Sequence, residues 1–373
     1  MRRRLWAWLG LAIVLVALAL DVLNRYEPIG IDFHTYLAAA RVGAEYGWSL
    51  IYDQRLVGIE QKSLVPDQIA QPFLSPPTDA WLTAPLIPLP YWVAYWLWAA
   101  VTLAALVAAL VWASLSHGLE RWVIAGAAIA PWWVLHAVNL GQVAPLVATG
   151  AVLATRLARE RRDLTAGLAL SLLYLKPNTA LLIPFALLVA GRYRIFVSWA
   201  AVGIVIAVAA FGLMGSQGVS AYLSQLRGPL PEGANYLTLE GAFGVGGWVA
   251  TAIRAVIVVV SFAAGFRLRH TPGLVIAVGA IASLLVVPYL HGSDLCLFGV
   301  AAWIAWEERM AMRWRVPIAA GWLVSTPYVN STGLALRLNR WTLFEVALLV
   351  ALAVVAFWPR REGSRRSASA SES

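Results

Sequence analysis

Asp32 and Tyr36 stand about one helical turn apart at the head of an Ala-rich run. Far along the chain Gln142, Lys176, Asn178, Arg254, His291 and Asp294 interrupt otherwise apolar sequence. A carboxylate such as Asp32 can take the proton from an attacking hydroxyl. Cationic side chains can neutralise a departing phosphate. Together they suit the transfer of a group from a lipid-phosphate carrier to an acceptor hydroxyl. Other chemistries lack their residues: there is no Asp-x-Asp pair, Walker loop, His-x-x-His zinc pair or Gly-x-Ser-x-Gly elbow. The single cysteine, Cys296, forms neither an intrachain disulfide nor a thiolate cluster, and the expected site uses no metal and no cofactor.

Each candidate also has a structural role open to it. Asp32 and Asp294 could cap helices. Lys176 could snorkel to lipid phosphate, and His291 could be a satisfied interfacial histidine. Gln142 and Asn178 could bond freed backbone at helix breaks. Arg254 is the oddest, because a charge inside a span costs roughly 2.5–3.5 kcal/mol on insertion scales.

The elements that must position these groups follow from hydropathy. Of 373 residues 61% are hydrophobic and 13% charged, against roughly 45–50% and about 25% in ordinary soluble domains. The excess comes in nearly uncharged blocks, which excludes a soluble enzyme, a disordered chain and a nucleic-acid-binding domain. The blocks predict an all-α polytopic integral membrane protein of about 10–12 spans. They lie near 5–20, 91–114, 122–138, 143–157, 164–175, 178–190, 195–214, 247–266, 272–290, 294–306, 316–329 and 341–358. The short pair at 164–175 and 178–190 could instead form a broken or re-entrant element. Residues 1–358 read as one transmembrane domain and 359–373 as a disordered cytoplasmic tail. Arg2 to Arg4 followed by an apolar run and Ala17-Leu18-Ala19 also fit a cleavable signal peptide.

Basic residues set the orientation. With the N-terminus inside, one face receives 19 of the 28 basic residues on short loops, from Arg2, Arg3 and Arg4 to Arg365 and Arg366. Both termini are therefore expected in the cytoplasm of a bacterial cell, and two long segments, 21–90 and 215–246, outside. In the first, the Ala-rich stretch to Glu45 should form a helix along the membrane surface, ended by Gly47. Eight prolines between 28 and 90 predict a fixed, non-helical course for much of the remainder. Four more polar clusters fall on the same face: Asn139-Leu140-Gly141-Gln142, Lys176-Pro177-Asn178, the loop Asn235 to Gly247, and His291-Gly292-Ser293-Asp294. Their convergence predicts a site at the extracytoplasmic interface. The absence of an internal repeat, and a polar cluster at one face rather than mid-membrane, argue against a secondary transporter or lipid flippase.

Asp32-Phe33 with Tyr36, Ile51-Tyr52-Asp53, Pro76-Pro77 running into Ala84-Pro85-Leu86, Gly141-Gln142, Lys176-Pro177, and Pro288-Tyr289 with Asp294-Leu295 occur in an order that resembles glycosyltransferase family 87. These are bacterial polyprenol-phosphate-mannose-dependent α-mannosyltransferases of the GT-C class, and the resemblance spans about residues 21–300. It implies a GT-C fold, a polyprenyl-phosphate sugar as donor and inversion at the anomeric carbon. The acceptor would be a glycolipid or glycan, with membrane lipids as surroundings and no nucleic acid. Carried over by position, Asp32 would be the general base. Lys176, His291 and Arg254, with Gln142 and Asn178, would bind donor phosphate and sugar, and Tyr36 and Asp294 would support them. Ser75 stands where an aromatic commonly precedes the double proline. A related donor, polyprenyl-phosphate arabinose, would make the chain an arabinofuranosyltransferase.

Overall fold

A computed structural model of the chain describes residues 8–16, 19, 29–228, 236–308, 310–326 and 340–358. The signal-peptide residues Ala17 and Leu18, loop residue Asn235 and the tail 359–373 lie outside the described residues. Among those described the ordered elements are α-helices and short 3-10 turns, with no strand. The protein is an all-helical membrane protein, as the blocks predict. Tyr91–Ala113, Tyr193–Arg227 and Gly247–Arg267 are each long and apolar enough to cross a bilayer alone. The 23 residues of Tyr91–Ala113 reach about 34 Å, enough for a hydrocarbon core of about 30 Å.

Several apolar blocks are divided more finely than hydropathy suggests. Block 122–138 becomes Gly118–Ile129 and Trp132–Leu140, bent by 65° where Pro131 interrupts the ladder. Block 164–175 is Asp163–Leu170 followed by a 3-10 turn, and 178–190 keeps only Leu182–Val189 as α-helix. Gly215, at φ 62 and ψ −174, kinks Tyr193–Arg227. The chain continues helically to Arg227, so the first part of the 215–246 segment is helix. There Gly218 passes against the Ser49 backbone and Tyr222 meets Tyr52, at 5.1 Å between ring centroids.

The segment after the first block is also more helical than its prolines imply. Ile31–Tyr46 ends at Gly47, whose φ of 106 suits glycine. Asp53 accepts from the Arg55 and Leu56 amides and so caps Gln54–Leu64. Pro77 opens Pro77–Thr83 from the first turn, where a missing N–H costs nothing. Between these two helices, residues 65–76 keep an irregular course.

Polar side chains tie the helices at two opposite ends. At one, Glu307 accepts from the Ser114 hydroxyl and the Leu115 amide, and Arg159 pairs with Glu308 at 2.9 Å. At the other lie Asp32, Gln142, Lys176 and the His291–Asp294 turn, each at a break between helices.

Candidate active site

Asp32 does not cap its helix. Gly30, left-handed at φ 77, occupies that position and makes no side-chain cap, so Asp32 falls in the first turn. Gly30 is pinned by its amide to the Asn139 carbonyl at 2.7 Å and by the Tyr91 hydroxyl donating to its own carbonyl at 2.8 Å. The next residue, Phe33, is fully buried among Tyr91, Tyr95 and Trp98. Burying such a ring contributes roughly 1.5–3 kcal/mol and fixes the rotation of the helix that carries Asp32.

Gly141 brings in the second partner. It ends Trp132–Leu140 in the left-handed region at φ 74, and a Cβ there would lie 2.5 Å from the Phe33 Cβ. Only glycine permits this approach, which sets Gln142 beside Asp32. The Gln142 Nε2 donates to Asp32 Oδ2 at 2.8 Å, and its Oε1 accepts from the Tyr36 hydroxyl at 3.0 Å. Lys176 Nζ reaches the same Oε1 at 3.5 Å and pairs with Asp294 Oδ1 at 2.6 Å. Asp294 Oδ2 in turn accepts the His291 amide at 2.9 Å, which shapes the turn into Cys296–Glu307. His291 Nε2 is hydrogen-bonded to the Tyr289 hydroxyl.

Six of the candidates thus form one connected group: Asp32, Tyr36, Gln142, Lys176, Asp294 and His291. Asp294 both shapes its turn and binds Lys176, so its structural role and its site role coincide. Two candidates are not joined to the group by a hydrogen bond or ion pair among the described residues. Asn178 is exposed on the turn that follows Lys176. Arg254 engages Glu240 of the short Leu239–Phe243 helix at 3.1 Å, which accounts for a cation in an apolar helix.

Two further residues, Asp79 and His136, stand beside this group. Asp79 is fully buried beside Lys176 and the hydroxyls of Ser75 and Thr78, and neither carboxyl oxygen makes a well-formed hydrogen bond. Loss of hydration therefore raises its pKa well above the usual carboxylate value, with Lys176 opposing. A signal was available: Asp79 is the lone charged residue between Asp67 and Glu120. His136 lies within reach of the Lys176 and Asp294 charges, and its ring centroid is 5.3 Å from that of Trp132.

Titration behaviour follows from these surroundings. His291 presents an edge to solvent but is ringed by protein, and this dehydration, with Lys176 next, lowers its pKa. It is neutral at physiological pH and can accept a proton or a hydrogen bond. The Tyr36 and Tyr289 hydroxyls are raised, first by burial and then by the carboxylates near them, and remain donors.

Fold and site together define a polytopic helical membrane protein with one carboxylate–amide–lysine group where several helices break. The model of glycosyltransferase family 87 matches residues 73–326. The chain belongs to glycosyltransferase family 87 and is a membrane glycosyltransferase. No curated protein and no solved structure matches it. The matched segment contains Asp79, Gln142, Lys176, His291 and Asp294. Asp32 lies outside it and is tied to it through the Gln142 amide.

Proposed function

We propose that this chain moves one mannosyl residue from a polyprenyl-monophosphate carrier to a hydroxyl of a glycolipid or glycan, at the extracytoplasmic face of a bacterial plasma membrane. Both termini then lie in the cytoplasm. The observation that carries the reading is Asp32, half-buried and held by Gln142, in the same group as the Lys176–Asp294 pair and His291. Asp32 is the general base. The acceptor oxygen attacks the anomeric carbon, its proton passes to Asp32, and the bond to the phosphate oxygen breaks. The electron pair leaves with the lipid phosphate. Attack opposite the leaving group inverts the anomeric centre.

Lys176 is the cation placed to meet the departing phosphate, sharing itself between that anion and Asp294. Neutral His291, bonded to Tyr289, is available to a sugar hydroxyl or a phosphate oxygen. Tyr36 fixes the amide by donating to its Oε1, which leaves Nε2 for Asp32. In this scheme the Gln142 amide orients the base rather than binding the donor.

The test is a screen of purified full-length protein against lipid-phosphate mannose and lipid-phosphate arabinose donors with glycolipid acceptors, followed by product linkage analysis. An α-linked mannosyl product from a β-linked donor supports the proposal. A pentofuranosyl product selects the arabinose reading. Gradient-dependent movement of an unmodified lipid without sugar transfer refutes both.

A further inference from the structure

Three carboxylates gather around one cation in the polar group, and one of them has no role in the scheme above. Asp294 pairs with Lys176 at 2.6 Å, and Asp32 is held by Gln142 at 2.8 Å. Asp79 is the third. It lies on Pro77–Thr83 with no exposed surface, and neither of its oxygens meets a well-formed donor. The phenols near it are engaged elsewhere: Tyr36 donates to Gln142 Oε1 at 3.0 Å and Tyr52 to the Ser75 carbonyl at 2.8 Å. Lys176 acts on Asp79 through its charge, while its ion pair among the described residues is with Asp294.

Charge counting decides the state of Asp79. Asp32 is ionised to act as a base, and Asp294 is ionised in its pair. A third carboxylate against the one ammonium would leave two negative charges in excess, where an anionic donor has to enter. A carboxyl stripped of water and left without a donor favours its neutral form. Asp79 is therefore where the proton sits.

The choice of lysine is a second, independent observation. Of the 28 basic residues in the chain only Lys62 and Lys176 are lysine. A guanidinium fork locks onto a carboxylate in one geometry, whereas an ammonium is a compact charge on a flexible stem. Lys176 stands between the 3-10 turns Ser171–Leu175 and Pro177–Thr179, with its side chain 12% exposed. Turns on both sides hold its backbone, and the stem can re-aim the charge.

We propose that Asp79 is a positioning residue for Lys176: as a neutral acid it leaves the ammonium to Asp294 and the donor phosphate, and as a carboxylate it competes for the ammonium and withdraws it. This role rests on the lipid-phosphate donor argued above and adds what keeps its cation available. Asp79 is fully buried, so its influence on a ligand passes through Lys176. The titratable groups facing Asp79 are Lys176, Tyr36 of Ile31–Tyr46, Tyr52, and Tyr222 of Tyr193–Arg227. Phenols ordinarily titrate near pH 10, so these three stay neutral. Lys176 is faced in addition by Asp294, His136 and His291.

The test takes purified full-length protein from about pH 5 to 9. Infrared difference spectra of wild-type and Asp79→Asn protein read the carbonyl stretch of a protonated carboxyl. Initial rates with a lipid-phosphate mannose donor give KM and kcat. Wild type should show the band at neutral pH and lose it as pH rises. Over the same range KM for the donor should climb by up to about tenfold per pH unit, with kcat within about twofold. Asp79→Asn should lack the band and keep a flat KM, and Asp79→Glu should restore both. A KM climb that survives in Asp79→Asn, or a wild-type spectrum without the band at neutral pH, overturns the proposal. Wild type that transfers no sugar from mannose or arabinose lipid-phosphate donors at any pH overturns the donor reading instead, and the infrared band still reports the proton on Asp79.

Discussion

Replacing Asp32 by Asn removes the base and keeps the size and shape of the side chain. Asn keeps a carbonyl oxygen for the Gln142 Nε2, now 2.8 Å from Asp32 Oδ2, and Gly30 rather than Asp32 occupies the cap position. What the fold loses is a first-turn negative charge, worth about 0.3–1 kcal/mol against the helix dipole. What the reaction loses is a general base, worth roughly 10²–10⁴ in rate, or about 2.7–5.4 kcal/mol of barrier. The two magnitudes separate cleanly. Initial rates of sugar transfer by purified Asp32→Asn protein should fall by that factor, while KM for the donor and the thermal midpoint change little. A folded variant turning over within about threefold of wild type would refute the assignment of Asp32. A midpoint that collapses with the rate would assign Asp32 to structure.

Lys176→Ala should weaken donor binding and also destabilise the fold, because it strands the Asp294 carboxyl, 0% exposed at its side chain; breaking such a pair costs about 3–5 kcal/mol. Lys176→Met with Asp294→Asn should recover the thermal midpoint but not donor affinity, and recovery of both would show the lysine to be purely structural. Asp79 has a raised folded pKa, so its favourable contribution to stability is complete below the unfolded carboxylate range and is lost as pH climbs through the folded value. Asp79→Asn should therefore raise the thermal midpoint at neutral pH and flatten its decline above about pH 4; an unchanged melting profile from pH 4 to 8 would contradict this. Gly141→Ala should lose activity and stability together, since its Cβ would collide with Phe33 at a left-handed φ of 74, and normal turnover would mean that Gln142 need not sit where it does.

Much of this site is legible in the sequence because a polar residue in an apolar block must earn its place. Gln142, Lys176, His291 and Asp294 stand out by their surroundings, and loop sidedness brings them to one face. Hydropathy cannot say which pairs form. Lys176 goes to Asp294 and Gln142, and Arg254 to Glu240, because the first site is set by the left-handed Gly141 and the His291 turn, and the second by a short helix inside the predicted loop Asn235 to Gly247. Prolines misled in one respect. The eight between 28 and 90 predict a fixed, non-helical course, whereas Asp53 and Pro77 start helices, since each supplies what a first turn needs. Asp79 escaped notice because it resembles a helix-start acid, and its significance lies in complete burial, which no local pattern encodes.

The order of groups in the site has a chemical logic. A lysine bonded directly to a general base would favour the charged carboxylate and make it a poorer proton acceptor. Here Gln142 contacts both, Oε1 toward Lys176 and Nε2 on Asp32, while the strong partner of Lys176 is Asp294 at 2.6 Å. The amide orients the base as an ion pair would, yet it does so through a neutral hydrogen bond. Asp294 meanwhile holds the lysine in place before any phosphate arrives. Substituting Gln142 by Lys would collapse this arrangement by setting a second cation against Asp32, and substituting Leu would orphan the buried Tyr36 hydroxyl at a cost of about 1–3 kcal/mol. An uncharged spacer that both donates and accepts meets these requirements together, which gives a physical reason for glutamine at this position.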